Sequence, residues 1–431
     1  MSSSPGRRVT LVLCKEGDGL LGSLPCFDVP TPHWQSVAEV VAGAQQKFGI
    51  EITVLRMLHA DLSTTFDGGP VTYLAEVDAR PDVTLARWPA DPVVADPVVA
   101  DPVVVDPVVV DPLVDDPRRA SYARPGGPQA DLVWAYRSLD AAGASRRGHA
   151  VQIRTWNLSS IWRIPTTDGG AWLKVVPSFF GHEGPLLVKL NPAVVPPIIA
   201  TSCERILLGD VPGQDQYGAT GEPLLEMVRL LLRLQGEWLG RTAELLDIGV
   251  PDWRPAVIVE AAAAVIDRTA SRLDAPTRST LRRLLAGLPQ RFDALDSCGI
   301  PHTLVHGDFH PGNVRGVPGR FALIDWGDSG VGHPARDLLT FCSRLSEADR
   351  IAVEAEWCAL WASVVPGCAP DRAAKLFRPI AALCGAITFQ RLLDEIESDE
   401  HPYHFDDPPD CLRRAAAEFE REIQRGSGRS S

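Results

Sequence analysis

The stretch His306-Gly307-Asp308-Phe309-His310-Pro311-Gly312-Asn313 is followed, after a short turn, by Phe321-Ala322-Leu323-Ile324-Asp325-Trp326-Gly327-Asp328. Thr303-Leu304-Val305 ahead of it is short and apolar, Pro318-Gly319 is a turn, and Phe321 to Ile324 is an apolar run that ends in a carboxylate. Apolar runs bounded by turn residues read as strands, so Asp308 and Asp325 are both expected at strand ends. Asp308 precedes Asn313 by five residues, and Asp325 follows Asn313 by twelve. Taken singly, Asp and Asn in such loops are ordinary turn formers. The ordered set carries the information.

Phosphoryl transfer needs little covalent chemistry from a protein. It needs a carboxylate to orient the acceptor hydroxyl and oxygen ligands to hold magnesium on the phosphates. Kinases place a catalytic Asp five residues before a metal-binding Asn, then a second metal-binding Asp in an Asp-Phe-Gly turn. Here Asp308, Asn313 and Asp325-Trp326-Gly327 stand in those places. The segment resembles the motif of the aminoglycoside phosphotransferase and choline kinase family, whose fixed positions are met by His306, Gly307, Asp308, His310 and Asn313. That resemblance implies a magnesium-dependent small-molecule kinase using ATP or GTP. Asp308 would be the catalytic base or orienting carboxylate, with His306 and His310 buttressing it in the catalytic loop, and Asn313 and Asp325 would hold magnesium. Gly332-His333-Pro334-Ala335-Arg336-Asp337-Leu338 resembles the family's closing segment, where Asp337 would be structural.

The implied fold is α+β, bilobal and protein-kinase-like, with a β-rich N-lobe over residues 131–208 and a helical C-lobe over 209–425. Upstream, Val151 to Trp156, Ser160 to Ile164 and Ala171 to Val176 read as strands, with Asp168-Gly169-Gly170 as a hairpin turn. Lys174 sits mid-strand among apolar residues, where burial is costly without an anion. It is the candidate phosphate lysine, and Glu183 is its expected partner, although Gly184-Pro185 is poor sequence for a helix interior. Ser159 and Ser160 could offer hydroxyl or backbone donors to the phosphates. Leu207, Leu208 and Gly209 lie in the expected hinge segment that would meet the nucleotide base.

Beyond Gly221, leucines recur at three- and four-residue intervals, as in amphipathic core helices. Between Arg391 and Arg413 lie Asp394, Glu395, Glu397, Asp399, Glu400, Asp406, Asp407 and Asp410, with no lysine or arginine among them. Such a patch would attract a cationic acceptor, an aminoglycoside or similar antibiotic, although charge runs are more often a solvated face. A choline-like alcohol, a sugar or a primary metabolite is the alternative acceptor. A nucleotide-binding regulator without turnover is the alternative function, opposed by the intact Asp308, Asn313 and Asp325.

Residues 1–80 show a strand, helix, strand layout, with a helix expected from Trp34 to Phe48, and so form a small α/β accessory domain. It loosely resembles a Nudix domain whose metal-binding glutamates are replaced by Ala42, Gly43, Gln46 and Lys47. Residues 81–130 read as a linker, because Asp-Pro recurs at 91, 96, 101, 106, 111 and 116. Proline at that interval excludes a continuous helix and favours an extended spacer, whose 27 residues from Asp91 to Pro117 would span roughly 80 Å if fully stretched. On this reading a self-sufficient kinase would survive removal of residues 1–117. The net charge of -13 argues against a nucleic-acid partner. Nine cysteines without a Cys-x-x-Cys spacing suggest neither disulfides nor zinc. No membrane-length apolar span is evident, and a cytoplasmic location is expected.

Overall fold

The computed structural model describes residues 6–61, 68–88, 111–167 and 169–427. Most of the Asp-Pro repeat and Asp168 of the expected hairpin turn lie outside them. The chain divides into two compact units, Met1–Ser178 with Ile199–Gly209, and Phe179–Ile198 with Asp210–Ser431.

The first unit holds two sheets. The N-terminal one comprises β1 (Arg7–Lys15), β2 (Gly19–Ser23), β3 (Phe27–Val29), β4 (Thr53–Ala60) and β5 (Gly69–Glu76), in the order β2-β1-β5-β4 with β3 alongside β1. β1 runs parallel to β5, and both neighbouring residues Leu11 and Val12 are fully buried. A strand covered on both faces reads as continuous apolar sequence, as Val9-Thr10-Leu11-Val12-Leu13 does. Helix α1 (Ala38–Phe48) starts four residues later than its apolar pattern suggests. It ends at Gly49, whose φ of 70° is the left-handed cap that glycine supplies without strain.

The second sheet comprises β6 (Val151–Trp156), β7 (Ser159–Ile164), β8 (Ala171–Val175), β9 (Ile198–Ser202) and β10 (Arg205–Gly209), in the order β6-β7-β8-β10-β9. Trp162, Ile164, Leu173, Val175 and Leu207 form its core face, against Leu132, Ala135 and Leu139 of α2 (Gly127–Ala141). The buried Asp131 of α2 accepts from Arg205 Nε at 2.7 Å and pins the helix to β10.

The linker reading of residues 81–130 fails from residue 111 onward. Tyr122 is 1% exposed and donates to Trp156 O, while the Pro112 carbonyl accepts from the buried Arg56 and Arg119. Helix α2 already begins at Gly127. The Asp-Pro periodicity continues to Pro117, so the sequence around Pro112 gives no local sign that tertiary contacts capture it.

The edges of the two sheets are stitched together. Gln152 on edge strand β6 is 2% exposed, and its amide accepts from Val54 N at 2.9 Å and donates to Val54 O at 2.7 Å. Val37 N–H donates to Ile153 O and Thr155 N–H to Gln35 O. A buried amide costs free energy unless its donor and acceptor are both met. Here the β4 backbone meets them, and in return loses an unpaired edge.

The helical unit contains α3 (Glu183–Lys189), β11 (Gln214–Asp215), α4 (Glu222–Glu237), α5 (Thr242–Asp247), α6 (Pro255–Arg268) and α7 (Ala275–Asp296). There follow β12 (Thr303–Val305), β13 (Val314–Val317), β14 (Arg320–Leu323), β15 (Gly330–Gly332), α8 (Ala335–Cys342), α9 (Glu347–Val364), α10 (Pro370–Glu395) and α11 (Asp407–Ser427). Gly184 and Pro185 are tolerated in α3 because they lie in its first turn, where backbone N–H groups have no intrahelical acceptor. Helix α10 is long and apolar enough to cross a membrane, contrary to expectation. It packs instead among α6, α7, α8, α9 and α11, burying Phe377, Ile380, Leu383 and Ile387. All nine cysteines are free.

Candidate active site

β12 pairs antiparallel with β15 and delivers His306 into the core. Gly307 follows with φ +86°, and a Cβ there would stand 1.9 Å from Asp328 O. Only glycine fits that close approach of two backbones. The turn is held from behind by Asp337 of α8, which is wholly buried. Its Oδ2 accepts from His306 N at 2.8 Å and Gln235 Nε2 at 2.9 Å, and its Oδ1 from Gly307 N at 2.9 Å. Burial pushes the Asp337 carboxyl up, and these donors oppose the shift. Gln235 was hidden in the leucine stripe of α4. Its signal was a polar residue on an otherwise apolar buried face.

His306 is buried, and desolvation holds its pKa below the usual value, so the ring is neutral. Its Nε2 lies 3.0 Å from Ile324 O, a pure acceptor, which places the proton on Nε2. The ring also sits 4.4 Å from that of Trp326. His306 therefore braces the 306–308 turn against the Ile324–Trp326 segment.

Asp308 is the part of the loop left accessible, with its side chain 40% exposed. Asn313 Nδ2 donates to Asp308 O at 2.9 Å and to Oδ2 at 3.1 Å. His310 Nδ1 accepts from Gly312 N at 3.0 Å, so its proton is on Nε2, 3.4 Å from Asp308 Oδ2. One carboxylate oxygen is thus oriented by two neighbours, and Oδ1 accepts no hydrogen bond among the described residues. His310 in turn faces the exposed ring of Tyr217 at 5.5 Å, a neighbour that no local motif singles out.

Asn313 and Asp325 sit at the open end of the β13–β14 hairpin, where Ile324 N–H donates to Asn313 O at 3.0 Å. Asp325 is exposed and has φ +66°, a left-handed conformation that costs a non-glycine residue free energy. The next amide, Trp326 N, donates to Glu183 Oε1 at 3.1 Å, so α3 fixes the turn that presents Asp325. Glu183 is 1% exposed. Asn313 spends its NH2 on Asp308, which leaves its carbonyl oxygen for another partner. An amide oxygen and a carboxylate make an oxygen-only, incomplete donor set. This suits magnesium, which takes one or two protein oxygens and completes its shell with phosphates and water.

In the first unit, Lys174 lies in β8 opposite Ile161 of β7 and Ile206 of β10, so it is on a central strand and not an edge. It shares a sheet face with Ser159 and Ile161, opposite the α2 core. Two expected nucleotide contacts are corrected by strand parity. Ser160 is fully buried on the core face, where its Oγ accepts from Trp162 Nε1 at 3.2 Å, and Leu207 is fully buried in the same core. Leu208 and Gly209 end β10, whose residues 205–209 all pair with β8. Lys174 and Glu183 belong to different units.

The acidic segment is largely spent on internal pairs. Asp394 takes Arg268 at 2.9 and 2.7 Å, Asp406 takes Arg272, Asp410 takes Arg413, and Asp407 lies 3.1 Å from His404 Nδ1. Glu397 and Glu400 are buried.

A family model described as the phosphotransferase enzyme family matches residues 142–374, more than half of the chain. Solved structures of similar fold include a macrolide 2'-phosphotransferase from Brachybacterium faecium, at 20% identity and a TM-score of 0.46, covering 65% of this chain and 98% of that one. An ethanolamine kinase from Plasmodium vivax has 11% identity and a TM-score of 0.49, covering 67% and 86%. A choline/ethanolamine kinase family protein from Mesorhizobium loti has 13% identity and a TM-score of 0.46, covering 67% and 99%. A search of curated proteins gave no match. None of these comparisons supports the looser likeness of the N-terminal domain to Nudix proteins.

Proposed function

Because this chain belongs to the phosphotransferase enzyme family, we propose that it is a magnesium-dependent kinase moving the γ-phosphate of ATP or GTP to a hydroxyl of a small-molecule acceptor. The observation that carries this reading is Asp308, oriented through Oδ2 by Asn313 and His310 while Oδ1 is left open. A hydroxyl donating to that oxygen would be aligned for in-line attack. As its oxygen bonds to phosphorus and the bond to the leaving diphosphate oxygen breaks, Asp308 would take the hydroxyl proton. Asn313 and Asp325 are the residues that would hold magnesium, which when bound offsets charge on the phosphates. Lys174 is assigned to the phosphates, and Glu183, through Trp326, keeps Asp325 in place.

An antibiotic acceptor remains the first choice within this class, but the acidic segment no longer argues for a cationic one, because its carboxylates are engaged internally. The test is transfer from magnesium-ATP and magnesium-GTP to pooled antibiotics, sugars, choline-like alcohols and hydroxy acids. Transfer to one pool is expected, falling by about a thousandfold in Asp308→Asn with nucleotide affinity retained. Undiminished transfer in that variant would remove Asp308 from the chemistry.

A further inference from the structure

Two arginines of the helical unit lie over one indole. The guanidinium carbon of Arg336 is 4.1 Å from the Trp253 ring centroid and that of Arg391 is 4.5 Å from it. Trp253 is fixed in place, since its N–H donates to Val331 O at 2.8 Å and its ring fills the space a side chain at Gly330 would need. Arg336 is 6% exposed, its Nη2 reaches Thr388 Oγ1 only at 3.4 Å, and its buried Nη1 has no hydrogen-bond partner. Arg391 is exposed and makes neither a hydrogen bond nor an ion pair among the described residues. Partial burial and the neighbouring Arg336 both depress its pKa.

The carboxylates nearby are committed elsewhere. Asp394, one turn beyond Arg391, is taken by Arg268 and Gln390. Asp337, beside Arg336, has both oxygens on His306, Gly307 and Gln235. Asp252, beside Trp253, is bound by Arg254. An indole face offsets only part of a guanidinium charge, and a buried cation is normally retained with an anion.

We propose that Arg336, Arg391 and Trp253 form a binding site for one oxyanion group, a phosphate, sulfate or carboxylate, carried by the acceptor. Guanidinium forks match such groups in geometry as well as charge. The site adjoins the catalytic segments through the chain itself, because Trp253 packs on the strand that follows Asp328 and Arg336 precedes the clamp residue Asp337. The assignment to an acceptor rests on the kinase reading, whereas anion binding does not.

The test is calorimetric titration of inorganic phosphate and of acetate into the full chain, with magnesium and a non-hydrolysable ATP analogue saturating the nucleotide site. Saturable binding is expected in the wild type, about tenfold or more weaker in Arg391→Gln and partly restored in Arg391→Lys. Arg391 is exposed, so the variant is expected to fold; Arg336→Gln is a supporting change only. In the second arm, acceptors bearing a carboxylate or phosphate should displace inorganic phosphate. Their KM should rise about tenfold in Arg391→Gln at unchanged kcat, with neutral acceptors unaffected. Absent wild-type binding, equal binding by Arg391→Gln, or anionic acceptors that turn over without displacing phosphate would each overturn the proposal. Anion binding without transfer to any acceptor would instead remove the kinase reading and leave the anion site standing.

Discussion

Replacing Asp337 by Asn alters one oxygen in a site with three donors. Asp337 accepts from His306 N, Gly307 N and Gln235 Nε2 at 2.8 to 2.9 Å, two of them on Oδ2 and one on Oδ1. The amide can keep its oxygen at the two-donor position, but its NH2 then faces the Gly307 N–H, and every surviving bond loses its charge. A hydrogen bond to a charged group contributes ~1.5–3 kcal/mol, and a buried donor without a partner costs ~1–3 kcal/mol. Removing the buried charge returns part of this, since burial raises the Asp337 pKa. The net loss should be about 2 kcal/mol, localised on residues 306–308. Amide hydrogen exchange of that segment should accelerate by about thirtyfold, because each 1.36 kcal/mol is a factor of ten. Displacing Asp308 should lower kcat by about a hundredfold with little change in nucleotide affinity. Unchanged exchange at His306 and Gly307, together with kcat within threefold of wild type, would refute the clamp.

Asp325→Asn should raise the magnesium concentration needed for nucleotide binding by at least tenfold, whereas Asp308→Asn should not; titrating magnesium against both variants separates the two carboxylates. His306 and His333 are buried with folded pKa values below the unfolded value, at about 3 for His333. Their neutral forms contribute stability that is complete above about pH 6.5 and is lost as pH falls toward the folded value. Buried Asp337, with a raised pKa, works in the opposite direction at lower pH. The unfolding temperature should therefore drop between pH 7 and pH 5, by less in His333→Gln, and an equal drop in that variant would count against a buried neutral His333. Removal of residues 1–117 should abolish nucleotide binding, because it strips the Val54 backbone from the buried Gln152 amide and leaves that amide without its donor and acceptor; a truncated chain with wild-type nucleotide affinity would show the β6 edge to be self-sufficient.

The loop that carries Asp308 was legible because the chemistry proposed for it demands particular residue types at particular spacings and its flanking strands are largely apolar. Thr303–Val305 is a strand as read, whereas the second runs over Arg320–Leu323 and stops before the expected Ile324, so that Asp325 stands two residues beyond it. The residues proposed to face the phosphates were less legible, since a strand alternates its faces residue by residue. Ser159 and Ser160 are equally polar in sequence, yet one residue of register puts Ser160 against Trp162 in the core. The seam of the first unit was invisible for another reason. Gln152 reads as the polar face of an amphipathic strand, and only a partner edge about a hundred residues earlier makes it a buried one. Residues 111–117 carry the same Asp-Pro signal as the repeat before them, and nothing local reports that Arg56 and Arg119 both seek the Pro112 carbonyl.

Adjacent residues of α8 face two different tasks. The Asp337 carboxylate fixes the amides of His306 and Gly307, and hence the backbone that presents Asp308. The Arg336 guanidinium lies over Trp253, whose ring packs where Gly330 lacks a side chain. Because Gly330 lies on β15, paired with the β12 strand that leads into His306, the same short sheet borders both the catalytic loop and the arginine pair. An anion held between Arg336 and Arg391 would offset both the partial burial and the Arg336 repulsion that depress the Arg391 pKa. Recognition of an acceptor's charged group and placement of the carboxylate that meets its hydroxyl would then depend on one helix. A neutral acceptor would leave that helix with an uncompensated buried charge, which is a physical basis for discrimination between acceptors that needs no contact with the reacting hydroxyl.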